Sequence, residues 1–393
     1  MKDEAGEQQE GPAAAGLDGM NRREAVGLLA AAGVSAATGA GTFATAQEPP
    51  GSAPETAIRS VQRLPSTGPW PTEDPFLFCV HHNDQYPAGN GRYGPKAALS
   101  GRQLGQDFAN KDGWNMYHGR TVPGFPRHPH RGFETVTLVT QGLIDHADSL
   151  GAAARYGDGD VQWLTAGDGI NHAEMFPLLS EDAANPVDFY QIWVNLPAAR
   201  KRVPPHFSMF WRDQVPRVTT RDEDGRSTTV RIVAGRYEDQ SAPAPPPASW
   251  ASEAGADVGI WTVSVSGGAQ WTLPATAATT ARSLYIVKGE GVRVGQRTVA
   301  KGHRLRLNAH VALTVSDLGG GSELLLLQGR PIGEPVVQHG PFVMNTRAEI
   351  QEAFRDYQRT QFGGWPWEND APVHGASPRR FARLIGGGRE DPA

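Results

Sequence analysis

Apolar residues in this chain fall into short runs of four to eight, and Gly-rich turns separate them. Phe133–Val139, Val161–Leu164, Phe189–Leu196 and Val230–Ala234 come first. Gly259–Val265, Ser283–Val287, Arg304–Leu307, Val311–Val315 and Leu324–Gln328 follow. Evenly spaced runs of this length predict the strands of a sandwich or barrel. One stretch carries the helical period instead. Thr346 and Glu349 form a capping box, Ile350, Phe354 and Tyr357 recur at i, i+4 and i+7, and Gly363-Gly364 ends the pattern. Its apolar stripe predicts a face docked on the barrels.

The two halves of the pattern resemble each other. Val139-Thr140-Gln141-Gly142 and Val287-Lys288-Gly289 each close a strand in a Gly turn and lead to another strand pair. The simplest organisation is a duplicated antiparallel β-barrel over 76–215 and 216–345, with a C-terminal helix and tail over 346–393. Residues 47–75 hold seven prolines and read as an extended linker or wrapping arm. Ser241–Ala248, with four prolines, reads as a surface loop. Composition agrees: 47 Gly and 31 Pro in 393 residues are about a fifth of the chain, against roughly 12% on average. Ten Trp and fourteen Phe exclude general disorder. A net charge of −5 gives no basic field for nucleic acid. The lone Cys79, in the apolar run Phe76–Val80, excludes an intrachain disulfide and a cysteine-held metal, and reads as an inert buried thiol.

Residues 1–46 read as a leader. Arg22-Arg23 precedes an uncharged Ala/Gly-rich run, Ala25–Ala46, that ends in the small-x-small site Ala44-Thr45-Ala46. This resembles a twin-arginine export signal, although Glu24 to Gly27 lack the usual residues after the arginine pair, and Met20 is an alternative start. Export to the periplasm or envelope is the expectation, with no stable membrane insertion after cleavage. The leader carries six acidic and three basic residues, so the mature chain is nearly neutral.

Candidate chemistry is concentrated between His118 and Pro177, which hold five of the twelve histidines. In His128-Pro129-His130 the two imidazoles stand at i and i+2, on one face of a strand. His172-Ala173-Glu174 repeats the offset with an imidazole and a carboxylate. On adjacent strands these four would converge on one metal. Nitrogen and oxygen donors without sulfur suit Fe(II), Mn, Ni, Cu(II) or Zn. Adjacent residues on a strand point to opposite faces, so His81-His82 is not expected to enter one site.

The string His128-Pro129-His130-Arg131-Gly132-Phe133-Glu134-Thr135-Val136 resembles the signature of pirins, a branch of the cupin superfamily. So do Gly159–Gly167 with Gly169-Ile170 and His172-Ala173-Glu174-Met175, Ile192–Pro197, and Gly340–Asn345. The resemblance spans roughly residues 75–362. It implies an all-β bicupin, two antiparallel barrels face to face, with one divalent metal in the first. His128, His130, His172 and Glu174 match the family's ligands, and Fe(II) is the usual ion. Glu134 stands where many other cupins take their carboxylate, and is read as a support that holds a ligand imidazole. Arg131, Trp163, Asn171 and His146 are candidate pocket residues; the plainer alternatives are a salt-bridged Arg, a core Trp, a turn Asn and an exposed His. In the second half Ala275 and Ala277 occupy the positions equivalent to His128 and His130, and His303 and His310 have no carboxylate at i+2. One metal per chain is therefore expected.

Some pirins oxidise quercetin, so the resemblance implies a flavonol 2,3-dioxygenase that takes a small aromatic substrate and dioxygen, with Glu174 as catalytic base. The same resemblance allows a non-catalytic metal-binding regulator, because other pirins act through protein partners. A monomer is expected. A cupin isomerase fits the barrel but not the pirin strings.

Overall fold

A computed structural model describes residues 57–392; the leader and the start of the Pro-rich arm lie outside them. The arm contributes β1 (Ile58–Arg63). The N-terminal barrel follows with β2 (Phe76–Tyr86), β3 (Gly124–His130), β4 (Phe133–Gln141), β5 (Leu143–Asp148) and β6 (Ala153–Gly157). It continues through β7 (Val161–Thr165), β8 (Ile170–Met175), β9 (Asn185–Asn195) and β10 (His206–Phe210). One sheet runs β10-β7-β4-β9-β2, and the facing sheet holds β6-β5-β8-β3. The C-terminal barrel sets β11 (Arg217–Arg221), β12 (Ser227–Ala234), Gly259–Val265, Ser322–Gly329, Ala281–Lys288 and His303–Asn308 in one sheet, against a smaller four-stranded one. Two antiparallel barrels thus stand face to face.

Side-chain alternation explains why these strands are so continuously apolar. On β4, Val136 and Leu138 point out of the N-terminal barrel while Val139 points in; on β9, Tyr190, Ile192 and Val194 point out while Phe189 points in. The outward set meets Ile260, Tyr285, Leu325 and Leu327 of the second barrel in a buried seam. Leu284, Ile286, Leu324 and Leu326 of the same strands fill that barrel's own core. Both faces are buried, so polar alternation is lost, and each fully buried aliphatic side chain contributes about 1.5–3 kcal/mol. Cys79 lies in the seam, fully buried, and burial pushes its thiol well up.

Two segments read as linker and tail hold structure. β1 pairs with His303–Asn308 and forms an edge of the second barrel's large sheet. Its strand is largely half-exposed, so its sequence shows little apolar alternation. Beyond the helix, Phe381–Arg383 pairs with β6 and Arg389–Glu390 pairs with Phe381–Arg383, extending the first barrel's sheet. The helix α1 (Arg347–Thr360) has the expected capping box and stops at Gln361, in the left-handed region (φ 48°), rather than at the glycines that follow. Ile350 and Ala353 are buried, and Phe354 and Tyr357 pack around Phe342. Arg131 ties the helix down through Asp356 (2.9 Å) while also reaching Asp168 (3.3 Å). No helix among the described residues is long and apolar enough to cross a membrane.

The barrels are also joined through Asp188 of β9, which takes Lys288 Nζ at 2.6 Å and His81 Nε2 at 2.9 Å. Burial alone would raise this carboxyl, but His81 and Lys288 outweigh it and hold it at about 2. Its contribution is therefore fully present above the ordinary carboxylate range and is lost as pH falls toward 2. Asp188→Asn is expected to lower the unfolding free energy by about 2–4 kcal/mol at neutral pH, read from denaturant midpoints. The gap between variant and wild type should narrow below pH ~4. Equal midpoints at neutral pH would refute the tie.

Candidate metal centre

β3 and β8 lie antiparallel, and their register sets the site. His128 stands directly opposite His172, and a bulge between Phe125 and His128 places Phe125 opposite Glu174. His130 shares the face of His128, so three imidazoles meet: one ligand atom from each lies within 4.8 Å of the others. Their ring centroids are 4.4–4.8 Å apart. His128 Nδ1–H donates to the Pro126 carbonyl at 2.9 Å, which leaves Nε2 as its free lone pair. Burial lowers all three, His128 to about 4 and His130 and His172 well below the usual value, so each is neutral at physiological pH. His172 is fully buried, with no hydrogen-bond partner at either ring nitrogen among the described residues. A buried polar atom without a partner costs about 1–3 kcal/mol. Neutral imidazoles that keep a lone pair free of any hydrogen bond fit a divalent cation, and the donor set leaves its identity open.

Glu174 borders this group. Its Oε2 is 3.8 Å from His172 Nε2 and accepts from Gln191 Nε2 at 3.0 Å, while Thr137 Oγ1 donates to Oε1 at 3.1 Å. Burial raises its carboxyl, against the lowering influence of His146, Thr137 and Gln191. Thr137 and Gln191 were not anticipated. The available signal was a polar side chain inside each of the apolar runs Phe133–Val139 and Phe189–Leu196.

Glu134 does not hold an imidazole. It accepts from Thr165 Oγ1 (2.7 Å) and from Ser249 Oγ, in the second barrel's loop between β12 and the Gly259–Val265 strand. Counting parity from His130 fails because Gly132 (φ 86°) breaks the strand, and a Cβ there would sit 1.9 Å from the Val343 carbonyl oxygen. β4 begins anew, with Glu134 on the seam face beside Val136 and Leu138. Burial pushes its carboxyl up to about 7. His146 is not an exposed histidine: it is fully buried opposite Glu174, hydrogen-bonded to Asp148 (3.1 Å), with its ring 5.6 Å from His172. Arg131 is the salt-bridged anchor already described, Trp163 is a seam core residue, and Asn171 donates to the Gln361 carbonyl beyond the helix. His303 lies in the second barrel against the Ala300 carbonyl (3.1 Å).

The centre opens into a cavity of about 930 Å³ bordered by His128, His130, Glu174, Gln191 and Trp193. Ile286, Val287 and Lys301 of the second barrel and residues 63–70 of the arm complete its walls. His81 and His82 also line it, but neither joins the histidine cluster, in keeping with the expectation from their adjacency. They do point to opposite faces, but β2 is an edge strand and the cavity wraps around it.

With this geometry in hand, comparison with known proteins places the chain. The Pirin family model matches residues 96–194, and the Pirin C-terminal cupin domain model matches residues 260–363. The chain belongs to the pirin family. The pirin-like protein of Caulobacter vibrioides is 36% identical over 276 residues, covering 68% of this chain and 90% of that one. A Pseudomonas aeruginosa protein named "Putative quercetin 2,3-dioxygenase PA2418" is 35% identical over 246 residues, 61% of this chain and 79% of that one. A solved quercetin 2,3-dioxygenase from Acinetobacter baumannii has a similar fold, with TM-score 0.61 and 24% identity over 78% of this chain and 98% of that one.

Purified under anaerobic conditions, the protein is expected to hold about one metal per chain, measured by elemental analysis. His128→Ala combined with His172→Ala should abolish it, since removing ligands also leaves the remaining imidazole buried and unpaired. Metal retained by the double variant would refute this site.

Proposed function

We propose that this chain is a metal-dependent oxidoreductase that opens the ring of a flavonol with dioxygen, in the manner of a quercetin 2,3-dioxygenase. The observation that carries the reading is a floor of three imidazoles, two buried and that of His128 half-buried, and an anchored carboxylate, opening into an aromatic-walled cavity. The volume lies within the range of small-molecule sites. His128, His130, His172 and Glu174 would hold the metal, with Fe(II) the expected ion. Bound there, the cation would supply a Lewis acid that lowers the pKa of a substrate hydroxyl.

The protein's own groups do the rest. Glu174, raised by burial and steadied by Thr137 and Gln191, takes the proton of the flavonol 3-hydroxyl at Oε2. Phe78, Phe125, Phe189 and Trp193 bind the flat rings and exclude water. The flavonol supplies the electrons for its own oxygenation, so no further reductant is required. The quercetin 2,3-dioxygenase name carried by the Pseudomonas aeruginosa relative supports the same substrate class.

Oxygen uptake with quercetin is the test, run on protein loaded in turn with iron, copper, manganese and nickel. Turnover is expected with at least one metal, and Glu174→Gln should reduce it by about 100-fold or more. A fully metallated protein without uptake would overturn the dioxygenase reading in favour of a metal-dependent binding role. We also propose twin-arginine export, on the leader's anatomy alone. Mass analysis of envelope protein should place the mature start at Gln47, and an intact N-terminus confined to the cytoplasm would overturn it.

A further inference from the structure

The cavity holds a second polar arrangement, remote in sequence from the metal motifs. His82 Nδ1 lies 2.8 Å from Tyr117 Oη, and that hydroxyl donates to Asp84 Oδ2 at 2.7 Å. Asp84 is fixed in turn by Asn115, whose backbone N–H and side-chain Nδ2 both donate to Oδ1, at 2.8 and 3.0 Å. All three members of the chain are buried. Tyr117 is held in the left-handed region (φ 54°), which strains a residue with a bulky side chain and is retained where the surroundings demand it. Its backbone is clamped there by reciprocal hydrogen bonds with Asp107 (2.9 and 3.0 Å).

The direction of this chain can be read from proton counting. A phenol has one proton to give, and Tyr117 gives it to Asp84. Asp84 accepts three hydrogen bonds as a carboxylate, which suits the ionised form in neutral buffer. The Tyr117 oxygen can therefore only accept from His82, so Nδ1 of His82 carries the ring proton and Nε2 is left with its lone pair. No hydrogen bond to Nε2 is formed among the described residues, and His82 lines the cavity. Its ring is stacked on Phe189 (centroids 4.4 Å, 18°) and meets Phe125 edge-on (5.7 Å), so it cannot turn away without unpacking both.

We propose that Asp84, Tyr117 and His82 form a substrate-positioning element that presents a fixed hydrogen-bond acceptor, His82 Nε2, to a hydroxyl of a polyphenol other than the one delivered to Glu174. This rests on the phenolic-substrate reading above and adds a specificity rule: at this end of the cavity a hydroxyl is favoured and a methoxyl is rejected. Burial keeps His82 neutral, so it holds this acceptor throughout the physiological range.

The experiment measures binding, not turnover. Dissociation constants of full-length metal-loaded protein are measured by tryptophan quenching for quercetin and for its 5,7,3′,4′-tetra-O-methyl ether, which keeps the 3-hydroxyl. Wild type is expected to prefer quercetin. His82→Phe should weaken quercetin by about 10-fold and leave the ether within about 2-fold. Tyr117→Phe frees His82 to move its proton to Nε2, and should remove the preference without changing metal content; His82→Gln, which retains an acceptor, should keep part of the preference that His82→Phe loses. Equal effects on both ligands, a preference that survives Tyr117→Phe, or no binding of quercetin by wild type would overturn the proposal. Absent oxygen uptake with this binding pattern intact would sink the reaction and leave the positioning element standing.

Discussion

Three imidazoles taken out of water with their nitrogens turned toward one another make a demand that the rest of the molecule answers. Protonated, they would repel; neutral, they leave lone pairs that burial has stripped of solvent. Among the described residues His172 has no partner at either nitrogen, and His128 spends its one proton on the Pro126 carbonyl. A cation is the species that turns such an arrangement from a cost into a contribution. Keeping the nitrogens together depends on the β3–β8 register, the bulge before His128, and the Thr137 and Gln191 contacts that stop Glu174 from turning away.

The second barrel follows from the same demand. A single small barrel with a polar floor has one sheet left to cover, and the seam covers it with Val136, Leu138, Ile192 and Val194 against Ile260, Leu325 and Leu327. The seam also walls the cavity, because β2 is an edge strand and its open side is closed by Ile286, Val287 and the arm. Trp70 of that arm stacks on Tyr285 at 5.6 Å and stands 5.5 Å from His81, so the arm is joined to both barrels at the cavity mouth. Burial, electrostatics and access are therefore set by the same few strands.

The sequence made the repeated i, i+2 pairs legible because that offset has one meaning inside an unbroken strand. It made the two-barrel organisation legible because the strand ends Val139–Gly142 and Val287–Gly289 recur in the two halves, each closing in a Gly turn. The same reasoning failed for Glu134, where Gly132 resets the parity that the count assumed. It also failed for His146: a histidine amid Leu143–Asp148 looks solvent-facing until the strand is known to pair with β8, with His146 across from Glu174. His82, Tyr117 and Asp84 were invisible as a set because 33 residues separate the tyrosine from the aspartate that fixes it. β1 and the strands after the helix are short edge elements whose pairing depends on a partner sheet, which local pattern does not encode.

X-ray absorption at the metal K-edge of the purified protein tests the central claim most directly. The account predicts a first shell of nitrogen and oxygen at about 2.0–2.2 Å, with multiple-scattering features of three imidazoles and no sulfur. A metal with fewer than three imidazoles in its shell, or a protein that binds none, would contradict it.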